Sequence, residues 1–433
     1  MRQENKHMQG PSPITDTPTL LDTIRGKFAH IDSCPFSGPR IYFENAGGAL
    51  TLKSVADTSA RFAAIPDNQG RDNQTSKELS RIIEQSKAKM RTFFNAPDGE
   101  LFVGETGTEL LFRVISAAML GSAEGGIVIG STLEHPSTRS ACDRWTRQCG
   151  KPYVLVEHSN DTGTVTSQDY EAHLSPDVRL ATILHTSPVT GMAVDVAAIA
   201  ASIRAVAPEC FIIVDGIQHA SHGLVDIASY DVDAYVISPY KAFSRHGYGI
   251  AWISDRLAAL PHDALKGGPA LNWELGTRDT GAYATFSDVI DYFEWLGARV
   301  SDAAQPRERI EAAGRAIHAH ESALTEAMLN GIDNHAGLNA IPGIRVVGGG
   351  DNPRREGLVS FSIEGHDCTE IVRQLNEANI RTHVRKNDHY SGNVLGPLGM
   401  PTCVRVSLCH YNTPGEIKEL LGALHTVVSV TTV

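Results

Sequence analysis

The sequence contains no apolar run long enough to cross a lipid bilayer. Its opening residues, Met1-Arg-Gln-Glu-Asn-Lys-His, also lack the apolar centre of a secretion signal. We therefore expect a protein that has no membrane partner and is located in the cytoplasm.

Paired cysteines and an excess of positive charge are also lacking. The 7 cysteines are an odd number and form no close CxxC pair, which favours reduced thiols over a disulfide framework. Lys and Arg number 38 against 50 Asp and Glu, a formal net charge of -12. Such an acidic chain is not expected to bind nucleic acid, whereas a locally basic pocket for an anionic substrate stays open.

The chain is long enough for a sizeable core, since 433 residues exceed a typical single domain. Short apolar runs alternate with helical stretches, which favours an α/β fold with a mostly parallel sheet covered by helices on both faces. Seven runs are predicted as strands of this sheet: 101–103, 126–129, 152–156, 181–184, 211–214, 234–237 and 250–253.

The pattern predicts three segments. Residues 1–40 carry several prolines and one helix near 20–30, and we expect an arm that packs on the body. Residues 41–300 are predicted as the large domain. Residues 301–433 are predicted as a smaller α+β domain, introduced by a long helix over about 304–330. Its expected strands are 357–363, 380–384 and 403–408.

Two of the predicted strands end in groups with chemistry. Val214-Asp215-Gly-Ile-Gln218 closes one strand, and Ser238-Pro-Tyr-Lys241 follows the next one. The strands of an open α/β sheet deliver their ligand-binding groups at such ends. A carboxylate and a lysine at neighbouring strand ends are the two groups that a pyridoxal phosphate enzyme needs. The lysine binds the cofactor covalently, and the acid keeps the pyridine nitrogen protonated.

Six segments, in order along the chain, strengthen this interpretation. They are Tyr42-Phe-Glu-Asn-Ala-Gly, Glu134-His135, Val214-Asp215-Gly-Ile-Gln218, Ser238-Pro-Tyr-Lys241, Glu274-Leu-Gly-Thr277 and Arg405-Val-Ser-Leu-Cys-His-Tyr-Asn-Thr413. From about Tyr42 to its C-terminus the chain resembles the class V aminotransferase group of fold-type I pyridoxal phosphate enzymes. That group contains cysteine desulfurases, selenocysteine lyases, isopenicillin N epimerase-like proteins and kynureninase. The resemblance implies a large domain with a mostly parallel seven-stranded sheet and a smaller C-terminal domain.

The resemblance also implies roles for the residues at the two strand ends. Lys241 would hold the cofactor and then act as the base that removes or returns the α-proton of a bound amino acid. Asp215 would pair with the pyridine nitrogen, and Gln218 would contact the phenolic oxygen. Taken alone, each could instead be an ordinary polar residue at the rim of a sheet.

Further residues would surround the cofactor. His135 is expected over the face of its ring, with proton transfer as a second role because an ordinary imidazole titrates near neutral pH. Phosphate is expected at a helix start, where backbone N–H groups are free, and Gly107 and Thr108 stand at such a start. Ser238 and Tyr240 resemble two additional phosphate ligands, although the family commonly has a histidine at the second position.

The segment Glu274-Leu-Gly-Thr277 resembles a loop that reaches the phosphate of the partner subunit. The resemblance therefore implies a homodimer with a shared active site. The alternative for Thr277 is a helix cap.

Substrate recognition is expected at Arg405, which resembles the arginine that grips the α-carboxylate of the substrate with two donors. Asn45 and Tyr390 are predicted to line the same pocket. The family pattern breaks at two positions. Tyr390 stands where cysteine desulfurases carry a nucleophilic cysteine, and Pro188 stands where the family usually has asparagine. Tyrosine cannot carry a persulfide, and Cys403 and Cys409 in a strand setting are expected to be core residues.

The leading hypothesis is a pyridoxal phosphate lyase that acts at Cβ of a free α-amino acid or a close derivative. It would cleave a C–S bond or decarboxylate at Cβ, without a persulfide cysteine. Within the family, a decarboxylative aldolase, an epimerase or an aminotransferase are alternatives. A non-catalytic regulatory protein that binds the cofactor is the alternative from another class.

Overall fold

The computed structural model describes residues 14–15, 18–269 and 271–430. Fourteen α-helices are present in these ranges: α1 Pro18–Gly26, α2 Lys53–Ala63, α3 Gln74–Phe94, α4 Gly107–Gly121, α5 Pro136–Cys149, α6 Ser167–Glu171, α7 Val196–Val206, α8 Ile227–Tyr230, α9 Asp255–Ala258, α10 Thr280–Val300, α11 Pro306–Asn330, α12 Cys368–Glu377, α13 Gly392–Leu395 and α14 Pro414–Val430.

Seventeen strands complete the described part of the chain: β1 Ser33–Cys34, β2 Gly38–Pro39, β3 Ile41–Tyr42, β4 Glu100–Gly104, β5 Ile127–Ser131, β6 Tyr153–Val156, β7 Val178–Leu184, β8 Phe211–Asp215, β9 Ala234–Ile237, β10 Gly249–Ile253, β11 Gly331–Ile332, β12 His335–Ala336, β13 Ile344–Val346, β14 Leu358–Ile363, β15 Ile380–Arg381, β16 His383–Lys386 and β17 Thr402–Ser407.

The main sheet has seven strands in the order β4-β10-β9-β8-β7-β5-β6. Six of these strands run in one direction. The strand β10 runs in the opposite direction, since it pairs antiparallel with both β4 and β9. All seven predicted strands are confirmed, with end shifts of up to three residues. The predicted α/β fold with a mostly parallel sheet is also confirmed.

Both faces of this sheet are buried, as expected for a sheet covered by helices on both sides. Side chains alternate across a strand, and on β8 Ile212 and Val214 belong to one apolar core whereas Phe211 and Ile213 belong to another. Because neither face of the sheet contacts solvent, β8 is apolar over four consecutive residues, and polar and apolar residues do not alternate in its sequence.

The C-terminal part of the chain is built around a four-stranded antiparallel sheet in the order β13-β14-β17-β16. A third core lies here and includes Phe361, Val404 and Leu420. The strand predicted over 380–384 is interrupted at Thr382, because β15 pairs in parallel with β3 whereas β16 pairs with β17. The predicted single strand is therefore wrong at that residue.

The described residues of the first forty pack on the body, and the division of the chain into an arm and two domains stays a prediction. Ile14, Ile24 and Phe28 are fully buried in the core that also holds Val103 of β4. Residues 1–13, which include two of the prolines used in that prediction, lie outside the described residues. In the ranges that the structure covers, no helix is both long and apolar enough to span a bilayer.

Candidate active site

One edge of the main sheet collects most of the predicted site residues. The strands β8 and β9 are parallel neighbours, so their carboxyl ends open at the same edge. The strand β4 also ends at this edge, because β4 and β9 both run antiparallel to β10, which lies between them. The helix α4 follows β4 and therefore begins at this edge as well. A cavity lies between these ends. Its lining residues are Thr108, His135, Leu184, Pro188, Asp215, Ile217, Gln218, Ser238, Tyr240 and Lys241.

Lys241 ends a short 3-10 turn after β9, and its amine points into the cavity. Its Nζ donates to Oε1 of Gln218 over 3.0 Å. Burial, followed by the nearby charge of Arg405, lowers the pKa of Lys241 to about 7. A large fraction of this amine is therefore unprotonated at neutral pH, which is the form that attacks an aldehyde.

Asp215 is the last residue of β8, and its side chain is 2% exposed. Its Oδ1 accepts from the backbone N–H of Ile217 at 3.1 Å, and its Oδ2 accepts from the hydroxyl of Thr138 at 3.4 Å. Burial raises the pKa of Asp215 to about 6. A carboxylate held at this depth stabilises a positive charge brought next to it. Thr138 was not predicted, because its helix α5 is remote from β8 along the chain.

His135 caps the N-terminus of α5 and lines the same cavity. Its Nδ1 accepts from the backbone N–H of Ser137 at 3.2 Å, so the single proton of the neutral ring lies on Nε2. Burial, followed by the charges of Lys241 and Arg385, lowers the pKa of His135 to about 3. The ring is therefore neutral at pH 7, and the ordinary titration range used for the proton-transfer hypothesis does not apply here.

The start of α4 and the turn after β9 form a small cradle. A Cβ placed on Gly107 would lie 2.4 Å from Oγ of Ser238 and 2.7 Å from Cδ1 of Ile217. Only glycine leaves this space open beside the free N–H groups of the first helical turn. Tyr240 lines the cavity, and its ring stacks on His246 with centroids 4.3 Å apart. This donor set fits a phosphate.

Arg405 lies on β17, opposite His383 of β16. Its side chain is buried, and Nη1 donates to the carbonyl oxygen of Pro188 at 3.1 Å. Its Nε is buried and has no hydrogen-bond partner among the described residues. Burial lowers the pKa of Arg405 to about 10, so the guanidinium stays charged at neutral pH. An anion would satisfy this charge and the free donor.

Two of the predicted substrate-binding residues, Asn45 and Tyr390, are not among the residues that line the cavity of Lys241. The amide of Asn45 donates to the carbonyl oxygen of Ser407 at 2.8 Å, and its Oδ1 accepts from the hydroxyl of Tyr411. Both ends of Asn45 therefore have structural partners. Tyr390 is 48% exposed, and its ring centroid lies 6.4 Å from that of His135. It stands at the rim of the site, and a substrate role for either residue stays a prediction.

Thr277 does not line the cavity of Lys241 within the described chain. It lines a separate groove together with residues that include Phe62 and Pro66. The cap of α10 is Asp279, which accepts from the backbone N–H of Gly281, so the helix-cap alternative for Thr277 is wrong. Its role toward a partner subunit stays a prediction.

A buried polar chain behind the cavity was not predicted. Nε2 of Gln218 lies 3.2 Å from Nε2 of His222, and Nδ1 of His222 lies 2.8 Å from Oε2 of Glu321. His222 follows Gln218 by four residues, and that spacing is visible in the sequence. Glu321 is 99 residues further along, on α11, and no local pattern connects it to the site.

The family model described as aminotransferase class-V matches residues 41–420. The chain belongs to the class-V aminotransferase family. The enzymes of this family depend on pyridoxal phosphate, so the predicted enzyme class is confirmed together with the family resemblance.

Individual relatives of this class-V aminotransferase chain agree with the assignment. The cysteine desulfurase-like protein ustD of Aspergillus flavus is 25% identical over 425 residues, which cover 94% of this chain and 91% of that protein. Among solved structures, the cysteine desulfurase CsdA from Escherichia coli is similar with a TM-score of 0.75 at 20% identity, over 95% of this chain and 98% of that one. The cysteine desulfurase from Thermococcus onnurineus NA1 gives a TM-score of 0.76 at 21% identity, over 90% of this chain and 95% of that one. The two structures support the fold alone.

Proposed function

We propose that this chain is a pyridoxal phosphate-dependent lyase that acts at Cβ of a free α-amino acid, without a persulfide cysteine. The observation that carries the proposal is the pair formed at the sheet edge by Lys241 and Asp215, which line one cavity with Gln218 and His135. When bound, pyridoxal phosphate supplies an electron-accepting ring that weakens the bonds at Cα of an attached amino acid.

Each residue at this edge has a function toward that cofactor. The amine of Lys241 would hold it, and the carboxylate of Asp215 would face its pyridine nitrogen. Gly107, Thr108, Ser238 and Tyr240 would bind the phosphate. The space left open by Gly107 supports this assignment, since a Cβ there would collide with Ser238.

Arg405 would bind the α-carboxylate of the substrate, because its charge is buried and its Nε has no partner within the described chain. The amine of Lys241 lies close enough to this charge for the two to interact. Once free of the cofactor, the same amine can take up or return a proton at Cα. His135, neutral at pH 7, is suited to pack on the cofactor ring.

The cysteines support a reaction without a persulfide. Cys403 and Cys409 are fully buried, and burial raises the pKa of Cys403 to about 12 and that of Cys409 well above its usual value. Thiols with such pKa values are poor nucleophiles. Tyr390 holds the position at the rim of the site where a desulfurase would carry its reactive sulfur.

The test is a panel of amino acids, including cysteine and aspartate, added to the purified protein with excess pyridoxal phosphate. The proposal expects sulfide together with pyruvate and ammonia from cysteine, or carbon dioxide together with alanine from aspartate. A 2-oxo acid that retains its side chain would indicate an aminotransferase. An inverted α-carbon would indicate an epimerase, and a new carbon–carbon bond with an added aldehyde would indicate a decarboxylative aldolase. If no product formed and the visible absorption of the bound cofactor changed with none of the amino acids, the proposal would be overturned and a regulatory role favoured.

We also propose that the protein is a homodimer in which Thr277 contacts the phosphate of the partner subunit. Sedimentation should then give twice the mass of the chain, and Thr277→Ala should weaken cofactor binding without dissociating the dimer. A monomer that binds the cofactor with unchanged affinity in the variant would contradict this. The cytoplasmic location and the absence of a nucleic-acid partner stay predictions.

A further inference from the structure

Gln218 links the active-site lysine to a buried histidine. Its side chain is 3% exposed, with Oε1 at 3.0 Å from Nζ of Lys241 and Nε2 at 3.2 Å from Nε2 of His222. A side-chain amide has one accepting end and one donating end. In this arrangement Gln218 presents its accepting end to the cavity and its donating end to His222.

Glu321 determines where His222 carries its proton. The two side chains are each 2% exposed, and Nδ1 of His222 lies 2.8 Å from Oε2 of Glu321. Burial raises the pKa of Glu321, and the adjacent imidazole of His222 opposes that shift. The ionised carboxylate only accepts, so Nδ1 holds a proton. Nε2 can then accept from the Gln218 amide only if it carries no proton of its own. The observed contacts therefore describe a neutral His222 protonated on Nδ1.

The pocket of this pair is closely fitted. Gly357 has a left-handed backbone with φ +49, and a Cβ there would lie 2.9 Å from Oε2 of Glu321 and 3.3 Å from Nδ1 of His222. The contact between His222 and Glu321 is also shorter than the separation of two ligands of a tetrahedral zinc ion. Ligands of a tetrahedral zinc ion at about 2.0 Å would lie roughly 3.3 Å apart. The pair is thus built as a direct hydrogen bond.

We propose that His222, held by Glu321, is a positioning residue whose second proton sets which end of the Gln218 amide faces the cofactor. The inference rests on the proposed function. The phenolic oxygen that Gln218 is proposed to contact is an acceptor, and it requires the donating end of the amide. The carbonyl of Gln218 then faces His222, whose Nε2 must carry a proton.

Loading the cofactor therefore draws one proton from solvent onto Nε2 of His222. Moving the existing proton from Nδ1 to Nε2 is not an alternative, since it would leave a bare Nδ1 against the carboxylate of Glu321. The neutral imidazole becomes an imidazolium, and Gln218 turns its amide by half a rotation. This proton uptake is separate from the bond that the amine of Lys241 would form with the aldehyde of the cofactor, which would release water.

The charges around His222 favour the imidazolium, whereas in the cofactor-free protein the Gln218 amide that points at Nε2 opposes the second proton. Burial opposes the charged ring, but the carboxylate of Glu321 outweighs it and raises the pKa of His222. Glu356 adds to this effect and Lys241 opposes it. The titratable and charged groups that face His222 are Glu321 on α11, Glu356 before β14, Lys241 after β9, and Cys409 and His410 after β17.

The first test is the ring-nitrogen NMR spectrum of the full-length protein labelled with 15N-histidine, with and without pyridoxal phosphate. His222→Gln identifies the signals. Without the cofactor, His222 should show one protonated and one bare nitrogen. With it, both nitrogens should be protonated. An unchanged pattern in protein that has bound pyridoxal phosphate, shown by a visible absorption band, would overturn the inference.

The second test compares proton uptake during loading, measured by calorimetry in two buffers of different ionisation enthalpy. Glu321→Gln should take up about one proton less per bound cofactor than the wild type, and the conservative control Glu326→Gln, an exposed residue on the same helix, should match the wild type. Equal uptake in all three proteins would contradict the inference. The absence of any visible band in the wild type would instead contradict the proposed function. If Glu321→Gln does not fold, the NMR comparison on the wild type decides.

Discussion

Arg405 donates from Nη1 to the main-chain carbonyl oxygen of Pro188 over 3.1 Å. Pro188, predicted from the sequence as one of two departures from the family pattern, lines the cavity of Lys241. Because the acceptor is a backbone atom, the arginine is held by the path of the chain and not by the side chain at position 188. A proline where asparagine was expected therefore leaves the anchor of Arg405 intact.

Replacing Pro188 by alanine tests this view. Alanine keeps the carbonyl acceptor, so the affinity for an amino acid should change by less than about threefold, within 1 kcal/mol. The free energy of unfolding should fall by about 0.4–1 kcal/mol, because the unfolded chain gains freedom without proline. Urea denaturation and spectral titration measure both effects. A large loss of affinity with unchanged stability would mean that the proline ring itself contacts the substrate.

Arg405→Lys should weaken substrate binding selectively. A lysine keeps the charge but loses the planar two-pronged donor, which corresponds to about 1.5–3 kcal/mol or roughly 10–100-fold in affinity. Cofactor loading, followed by visible absorption, should remain. Arg345→Lys is the matched control, since Arg345 is exposed and donates to the carbonyl oxygen of Leu398. Equal affinities of the two variants for the substrate would show that Arg405 does not bind it.

The buried carboxyl group of Glu134 should make the free energy of unfolding of the cofactor-free protein depend on pH. Burial, followed by the charge of Asp215, raises the pKa of Glu134 to about 8. Its Oε1 accepts from the backbone N–H of Leu184 at 3.1 Å. Between pH 4.5 and 8 the folded protein keeps a proton that the unfolded chain has released, so stability falls as the pH rises, by up to about 1.4 kcal/mol per pH unit.

Glu134→Gln should remove this dependence, because a neutral amide has nearly the shape of the protonated acid. Urea denaturation at pH 5 and pH 8 should show the variant gaining on the wild type by several kcal/mol at the higher pH. The exposed Glu124→Gln serves as control and should shift neither value. A difference between variant and wild type that is the same at both pH values would show that Glu134 is not protonated in the folded protein.

Thiol alkylation should label the protein without stopping turnover. The side chain of Ser37 and nearby backbone N–H groups bond to Cys34 and lower its pKa to about 7. We therefore expect iodoacetamide at pH 7 to react first with Cys34 and to leave buried Cys403 and Cys409 untouched. Mass spectrometry locates the label, and Cys34→Ser should remain unlabelled and active. If turnover were lost in proportion to the labelling of another cysteine, that result would support a sulfur-relay reaction that uses its thiol.

The sheet edge that carries the site could be predicted from sequence because its information is local. The strands β8 and β9 are continuous apolar runs that end in Asp215 and Ser238, and parallel pairing brings those ends together. The helix α10 was not predicted. Residues 280 to 286 at its start are all buried and show no polar face, but Val289, Ile290 and Phe293 in its second half are buried at helical spacing, so a signal was present there and was missed.

The remaining differences depend on contacts between distant segments. Thr382 separates two strands only because β15 and β16 have different partners. The hydrogen bonds that occupy Asn45 come from residues more than 300 positions away. The contact between His222 and Glu321 likewise exists only after α11 has docked, and no periodic pattern encodes it.

The central claim is that the amine of Lys241 binds the aldehyde of pyridoxal phosphate. The most direct measurement is borohydride reduction of protein saturated with that cofactor, followed by peptide mass analysis, with Lys241→Ala as control. The account predicts a visible absorption band and a single reduced adduct on Lys241, both lost in the variant. A colourless protein without an adduct at residue 241, despite excess cofactor, would contradict it.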